Sequence, residues 1–193
     1  MPWEKSFDSD EILDRAAKVF WAKGYEGASM AELIEATGIN KGSVYNAFGT
    51  KKNLFTQALL KYDRDQRRAA LIELTAMNAP VAAIQALFEG LVAQSLADTE
   101  RKGCFLVNTA LDLPNHDQDT EETVKAALSE FEQFFERQIE LGHKTGAIPE
   151  SVDPKLTAKV LLSLVVGLRV LARGVYDEDS LKALSDQALT LIR

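Results

Sequence analysis

The sequence predicts an all-α fold, a three-helix helix-turn-helix unit followed by a larger helical domain. Three observations carry this. Apolar residues recur at helical spacing along the 193 residues, and no run of six alternates as a half-buried strand would. Proline is scarce at 5 and glycine moderate at 11, so long regular elements outweigh loops. Two short helical segments are joined by Gly38-Ile39-Asn40, the sequence form of a helix-turn-helix.

The first helix is expected over residues 9–23. Asp8 and Glu11 stand at capping-box spacing, Ile12, Ala16, Val19 and Phe20 share one face, and Gly24 stops it. Ser29 and Glu32 form an S-x-x-E box that starts a short helix carrying Met30, Leu33 and Ile34. Gly38 makes the turn, because glycine takes a left-handed backbone conformation without steric cost. Asn40 caps a helix over 41–48 that Gly49 ends, and Thr50 caps a longer helix reaching about residue 74. Further helices are expected over 81–97, 105–113, 120–144, 154–176 and 180–192. Asp153-Pro154 marks the fourth of these, an N-cap followed by proline at the first helical position. The division is therefore residues 1–50, a connecting helix over 51–74, and residues 75–193.

The composition, 46% hydrophobic and 26% charged, is that of an ordinary globular protein. A formal net charge of -7 argues at first against nucleic acid, but the charge is unevenly placed. Residues 1–68 hold 11 of the 22 Lys and Arg and 10 of the 29 Asp and Glu, leaving 11 against 19 for the remainder. No acid lies between Glu35 and Asp63, whereas Lys41, Lys51, Lys52 and Lys61 do. An acid-free stretch in an acidic chain is a footprint for an anion.

At about 100° per residue, Val44 and Phe48 point one way, toward the first two helices. The opposite arc presents Gly42, Ser43 and Asn46, bordered by Lys41, Tyr45 and Ala47. Small polar residues suit a major groove: Asn46 can bond adenine in paired fashion and Ser43 can bond either kind of partner. Lys41 and Tyr45 are placed for flanking phosphates. Lys51 and Lys52 sit in the first turn of a helix, where they oppose the macrodipole unless a phosphate lies there. With Ser29 and Asn40 these residues complete the candidate DNA-contacting set.

Residues 12–59 resemble the DNA-binding domain of TetR-type transcriptional regulators. Gly24-Tyr25-Glu26-Gly27-Ala28-Ser29-Met30-Ala31-Glu32-Leu33 matches the glycine-aromatic lead into that family's second helix. The run from Ala36-Thr37-Gly38-Ile39-Asn40 through Lys41-Gly42-Ser43-Val44-Tyr45-Asn46-Ala47-Phe48 to Gly49-Thr50-Lys51 matches its turn, recognition helix and following cap. The resemblance implies backbone contacts from Tyr45 and Lys51 and base reading from the start of the recognition helix. It departs at Ala47, where the family commonly carries a larger residue, often His, so that contact is not carried over. It also implies a homodimeric repressor that binds double-stranded DNA at a pseudo-palindromic operator and is released by a small-molecule effector of unknown identity.

The larger half supports this in part. Between 154 and 176, Leu156, Val160, Leu161, Leu162, Leu164, Val165, Val166, Leu168, Val170 and Leu171 cover most of the helix circumference, so it is buried on more than one side. The last helix carries a stripe of Leu181, Leu184, Ala188, Leu191 and Ile192. Leu161, Leu164, Val165, Leu168, Leu184, Ala188 and Leu191 are the expected dimer face, two helices pairing with their copies as a four-helix bundle. Phe88, Phe105, Phe131, Phe134 and Phe135, with Asn108, Gln138, Arg169 and Cys104, are the candidate effector contacts. Phenylalanines at this spacing also serve as plain core.

Cys104 follows Arg101-Lys102-Gly103 at the start of a helix. It reads as a small buried hydrophobe or, less readily, as a reactive sensor thiol. His116 and His143 lack metal-ligand spacing and read as structural, and no cofactor or metal is expected. A thiol hydrolase pairing Cys104 with His116 or His143 would need those groups within hydrogen-bond reach, and nothing in the sequence brings them together. A helical module binding protein rather than DNA is the other alternative, and the acid-free lysine stretch weighs against it. A single cysteine gives no disulfide framework, residues 1–4 show no apolar signal core, and 160–172 is too short to span a bilayer. A cytoplasmic protein without a membrane partner is expected.

Overall fold

The computed structural model describes residues 8–193, so the expectation about residues 1–4 lies outside the described residues. Ten α-helices, α1 to α10, are described, and no strand is present among these residues.

Helix α1 (Ser9–Gly27) is capped by Asp8, whose carboxylate accepts the Asp10 N–H at 2.9 Å. Glu11 takes no part in a box and instead bonds Arg15 one turn on, at 2.5 Å. Gly24 interrupts α1 with φ 72°, where the sequence placed the stop, and a short helical turn follows. Helix α2 (Met30–Thr37) carries the full Ser29/Glu32 capping box and ends at left-handed Gly38. Helix α3 (Lys41–Phe48) is capped by Asn40, which accepts the Ser43 N–H at 2.9 Å. Ile12, Ala16, Phe20, Leu33, Val44, Phe48, Leu54, Phe55 and Leu59 form the core beneath.

Helix α4 (Lys51–Tyr62), capped by Thr50, does not stop at its last residue. It passes through a π-helical segment, Asp63–Arg68, into α5 (Ala69–Ala76), and the junction residues keep right-handed helical angles. The expected connecting helix is thus continuous, with a π insertion that no periodicity reported. Such insertions commonly sit at functional positions.

Helix α6 (Pro80–Ala97) buries Ala83, Ile84, Leu87, Phe88, Leu91 and Val92. It is long and apolar enough to cross a membrane by composition, a property the sequence reading had tested only at 160–172. Its apolar face is in use within the fold, in a core shared with Phe135 and Ile139 of α8 (Gln118–Thr145), Leu161, Val165 and Leu168 of α9 (Pro154–Leu171), and Leu181, Ala188 and Ile192 of α10 (Glu178–Thr190).

Two corrections follow. Helix α9 ends at Leu171 rather than near 176: the N–H groups of Val175 and Tyr176 both return to the Leu171 carbonyl, and Gly174 has φ 118°. Helix α7 (Phe105–Leu111) is short, and Phe105 and Leu106 join the N-terminal core together with Val124 and Ala127 of α8. The N-terminal core therefore recruits residues from beyond position 75, and a buried hydrogen bond of 2.8 Å between the hydroxyls of Thr56 and Thr120 ties α4 to α8.

Candidate nucleic-acid interface and effector cavity

Helix α3 turns Val44 and Phe48 into the core, at 1% and 3% exposure, and leaves Lys41, Gly42, Tyr45 and Asn46 exposed, with Ser43 half-buried. This is the division that periodicity predicts. Gly42 has a second reason to lack a side chain, since a Cβ there would stand 3.3 Å from the Asn40 Oδ1 that caps the helix. Lys51 lies with its ammonium 4.4 Å from the centroid of the Tyr25 ring, and Lys52 is exposed beside it.

Two expectations narrow. The Ser29 hydroxyl donates to Glu32 Oε2 at 2.8 Å and accepts the Glu32 N–H at 3.2 Å. Its single proton is committed to the cap, so Ser29 orders α2 rather than offering a donor to phosphate. Lys23 bonds the same carboxylate and, with the Ser29 backbone, holds the Glu32 pKa down to about 2. Lys61, the fourth lysine of the acid-free stretch, is buried between Asp14 and Asp65 at 2.7 and 2.6 Å and is withdrawn from any DNA surface. The exposed polar set is Lys41, Gly42, Tyr45, Asn46 and Lys52, flanked by Ser43 and Lys51.

His116 packs between the two halves. Its ring stacks on Phe55 at 4.9 Å and meets Tyr25 edge-on at 5.8 Å. Burial lowers its pKa below the ordinary value, outweighing the opposing pull of Asp112, Asp117 and Glu26. The unfolded chain therefore binds the proton more readily than the folded one just below about pH 6.5. Stability from this site is complete above that pH and is lost as pH falls through it. Urea midpoints are expected to drop between pH 7.5 and 5.5 in the native protein, and this drop is expected to shrink in His116→Gln.

The second feature is a cavity of about 180 Å³. One wall is the connecting helix: Tyr62, Asp63, Gln66 and Arg67 at its π segment, then Ala70 and Leu74. Helix α6 contributes Leu87, Gly90, Leu91 and Gln94, and Cys104, Leu106, Val107, Leu128, Phe131, Val165, Val166 and Arg169 complete much of the lining.

Of the expected effector contacts, the fold brings together Cys104, Phe131 and Arg169 here. The others are corrected. Phe88, Phe105 and Phe135 are 0–2% exposed and serve as core. Asn108 lies in a separate recess with Arg173 and His116, and Phe134 and Gln138 line a groove shared with Leu71 and Ile72. Cys104 is half-buried, and its sulfur accepts a weak bond from the Tyr62 hydroxyl at 3.7 Å. His116 is held by its aromatic stack, and His143 stands 3.6 Å from Glu150, so neither supplies that partner.

Sequence reasoning missed the connecting-helix wall, because the charged run 63–68 reads as a solvated face. One signal was available at Gly90, a glycine inside a helix, where a Cβ would meet nothing within 4 Å. Gly90→Ala is expected to stabilise the protein by about 0.5–1 kcal/mol through the helical backbone alone. A chemical denaturation midpoint that fails to rise would mean that the space beside Gly90 is not free.

A helix-turn-helix with an exposed, acid-free polar face, joined by one continuous helix to a cavity-bearing bundle, defines a DNA-binding regulator. Comparison with known proteins agrees. Residues 12–58 match the family model described as bacterial regulatory proteins, tetR family, and residues 80–187 match that of the tetracyclin repressor-like C-terminal domain. The chain is 30% identical over 190 residues to the uncharacterized HTH-type transcriptional regulator YezE of Bacillus subtilis strain 168, covering 97% of each. It is 29% identical over 190 residues to the HTH-type transcriptional repressor ComR of Escherichia coli K12, covering 98% of this chain and 89% of that one. A cysteine-substituted variant of the TetR-family regulator CifR, solved with 26-base-pair double-stranded operator DNA, has a TM-score of 0.83 at 31% identity, covering 96% of this chain and 97% of the other. The chain belongs to the TetR family of bacterial regulatory proteins and is a DNA-binding transcriptional regulator.

Proposed function

We propose that the protein is a cytoplasmic homodimeric repressor, released from a pseudo-palindromic operator by a small molecule bound in the 180 Å³ cavity. The observation that carries this reading is the single helical path from Lys51 to Ala76. It begins at the candidate phosphate contacts Lys51 and Lys52 and supplies a wall of the cavity through its π segment. A ligand that shifts this wall moves the recognition helix with it. In this reading residues 1–50 bind DNA, 51–74 connect, and 75–193 hold ligand and partner.

Dimerisation serves the DNA geometry, because two recognition helices entering successive major grooves lie about 34–36 Å apart. The expected face needs revision. Leu161, Val165, Leu168 and Ala188 are 0–2% exposed within one chain and have no area left to bury against a second. The opposite stripe of α9, Leu156 and Val160 at 63% and 40% exposure with half-buried Leu164, is apolar and uncovered, as is Leu191 of the C-terminal segment at 37%. With half-buried Leu184 these form the proposed contact. By linkage, operator DNA weakens effector binding by the factor by which effector weakens DNA binding, typically ~1–3 kcal/mol.

The test is fluorescence anisotropy with DNA from upstream of the protein's own gene, in excess non-specific competitor and at several salt concentrations. Tight binding whose logarithm falls steeply with log salt is expected, and Tyr45→Ala and Lys51→Ala are each expected to weaken it, the lysine change also lowering the salt slope by about one. Salt-insensitive binding, or none either there or in selection from random DNA, overturns the reading.

A further inference from the structure

The polar groups of the cavity are unbalanced toward donors. Arg67 donates through Nε and Nη2 to Asp63 and through Nη2 to Glu130 at 2.7 Å, while its Nη1 is buried without a protein partner. The surrounding cluster of Arg67, Arg68, Asp63 and Glu130 holds two cations and two carboxylates and is neutral as a whole. Burial raises the Tyr62 pKa and keeps the phenol protonated, with only a thiol at 3.7 Å to accept its proton.

Arg169 differs from Arg67. Its guanidinium bonds Ser95 Oγ at 3.3 Å and Gln94 Oε1, both neutral, and no carboxylate among the described residues lies within ion-pair distance of it. A formal positive charge thus faces a cavity walled chiefly by carbon, from Leu87, Leu91, Leu128, Phe131 and Val165 among others. The free lining acid, Glu73, is exposed, where water solvates its charge.

We propose that this cavity takes a small apolar carboxylate, its carboxylate on Arg169 and its hydrocarbon body against α6, α8 and α9. A bidentate guanidinium–carboxylate pair in such surroundings is favoured over a neutral group, which leaves the cation uncompensated. A neutral oxygen elsewhere on the ligand, carbonyl or hydroxyl, answers Arg67 Nη1, since the cluster around that arginine is already neutral. The proposal rests on the cavity being the effector site and specifies the effector's chemical class.

The probes are benzoate, phenylacetate, 4-phenylbutyrate and octanoate, each paired with its primary amide, titrated by calorimetry into the full-length protein. Cys104 is the chain's single cysteine and lines the cavity, so protection of its thiol from iodoacetamide reports where a probe sits. At least one carboxylate is expected to bind tenfold or more tightly than its amide and to slow alkylation. Arg169→Met is expected to abolish that preference and Arg169→Lys to keep part of it. Amides that bind and protect as well as the acids, or a series in which no carboxylate protects Cys104, overturn the proposal. Neutral probes that protect Cys104 and release operator DNA overturn the anionic class while leaving the effector reading intact. Carboxylates that protect Cys104 without changing operator affinity sustain the ligand class and overturn the effector reading.

Discussion

Arg67→Met is expected to destabilise the protein by about 3–5 kcal/mol, because it strands the Asp63 carboxylate in the interior. Both side chains are 6% exposed, and Asp63 would keep only Arg68 Nε at 3.7 Å. The double variant Asp63→Leu/Arg67→Met is expected to recover most of the loss, since replacing a buried ion pair by apolar groups of similar size is commonly neutral or stabilising. Urea unfolding of the two single variants and the double variant measures this directly. A double variant no more stable than Arg67→Met would show that the charges hold the π segment itself, and through it the path from cavity to recognition helix.

Val160→Glu is expected to leave the protomer folded and to break the dimer. The residue is 40% exposed in the single chain, so the fold itself gains little from it, while a charge in the centre of an apolar contact is desolvated on both copies. Operator affinity is then expected to fall by roughly 10²–10⁴, the gain lost when two tethered half-site contacts become independent. Sedimentation velocity and anisotropy read the two effects. A Val160→Glu protein that remains dimeric at micromolar concentration moves the interface elsewhere, whereas Leu168→Glu is expected to unfold the chain, since Leu168 is 0% exposed.

The N-terminal third was legible because its signals are local. Ser29 with Glu32, Gly38, Asn40, Gly49 and Thr50 each act within a few residues, through a cap or a positive φ, and each does in the structure what its position implies. The inward face of α3 followed from spacing alone, because an eight-residue amphipathic helix has one side to bury. Lys61 was misread for a non-local reason. Its counter-ion Asp14 lies on α1, and no sequence rule reports that partner.

The larger half shows the same division. Helix α9 is apolar over most of its circumference, so the sequence established that it is buried on more than one side and left the order of its faces open. Which face met α6 and α8 and which stayed uncovered was decided by packing, and Leu161, Val165 and Leu168 went inward while Leu156 and Val160 did not. The phenylalanines went to the core rather than to the ligand, since close packing of large rings fills the bundle where the helices approach most nearly.

The sequence by itself therefore determined the all-α class, the caps and turns, the DNA-facing set on α3 and the family. These depend on helical periodicity and on hydrogen bonds between near neighbours. Only the tertiary structure decided the cavity and its charge. Residues 63–68 read as a solvated charged run until α8 brings Glu130 to Arg67 across 63 positions of sequence. A long helix also carries no information about which of its faces a distant partner will cover. Burial of a charge depends on that partner, and the chain supplies it only once folded.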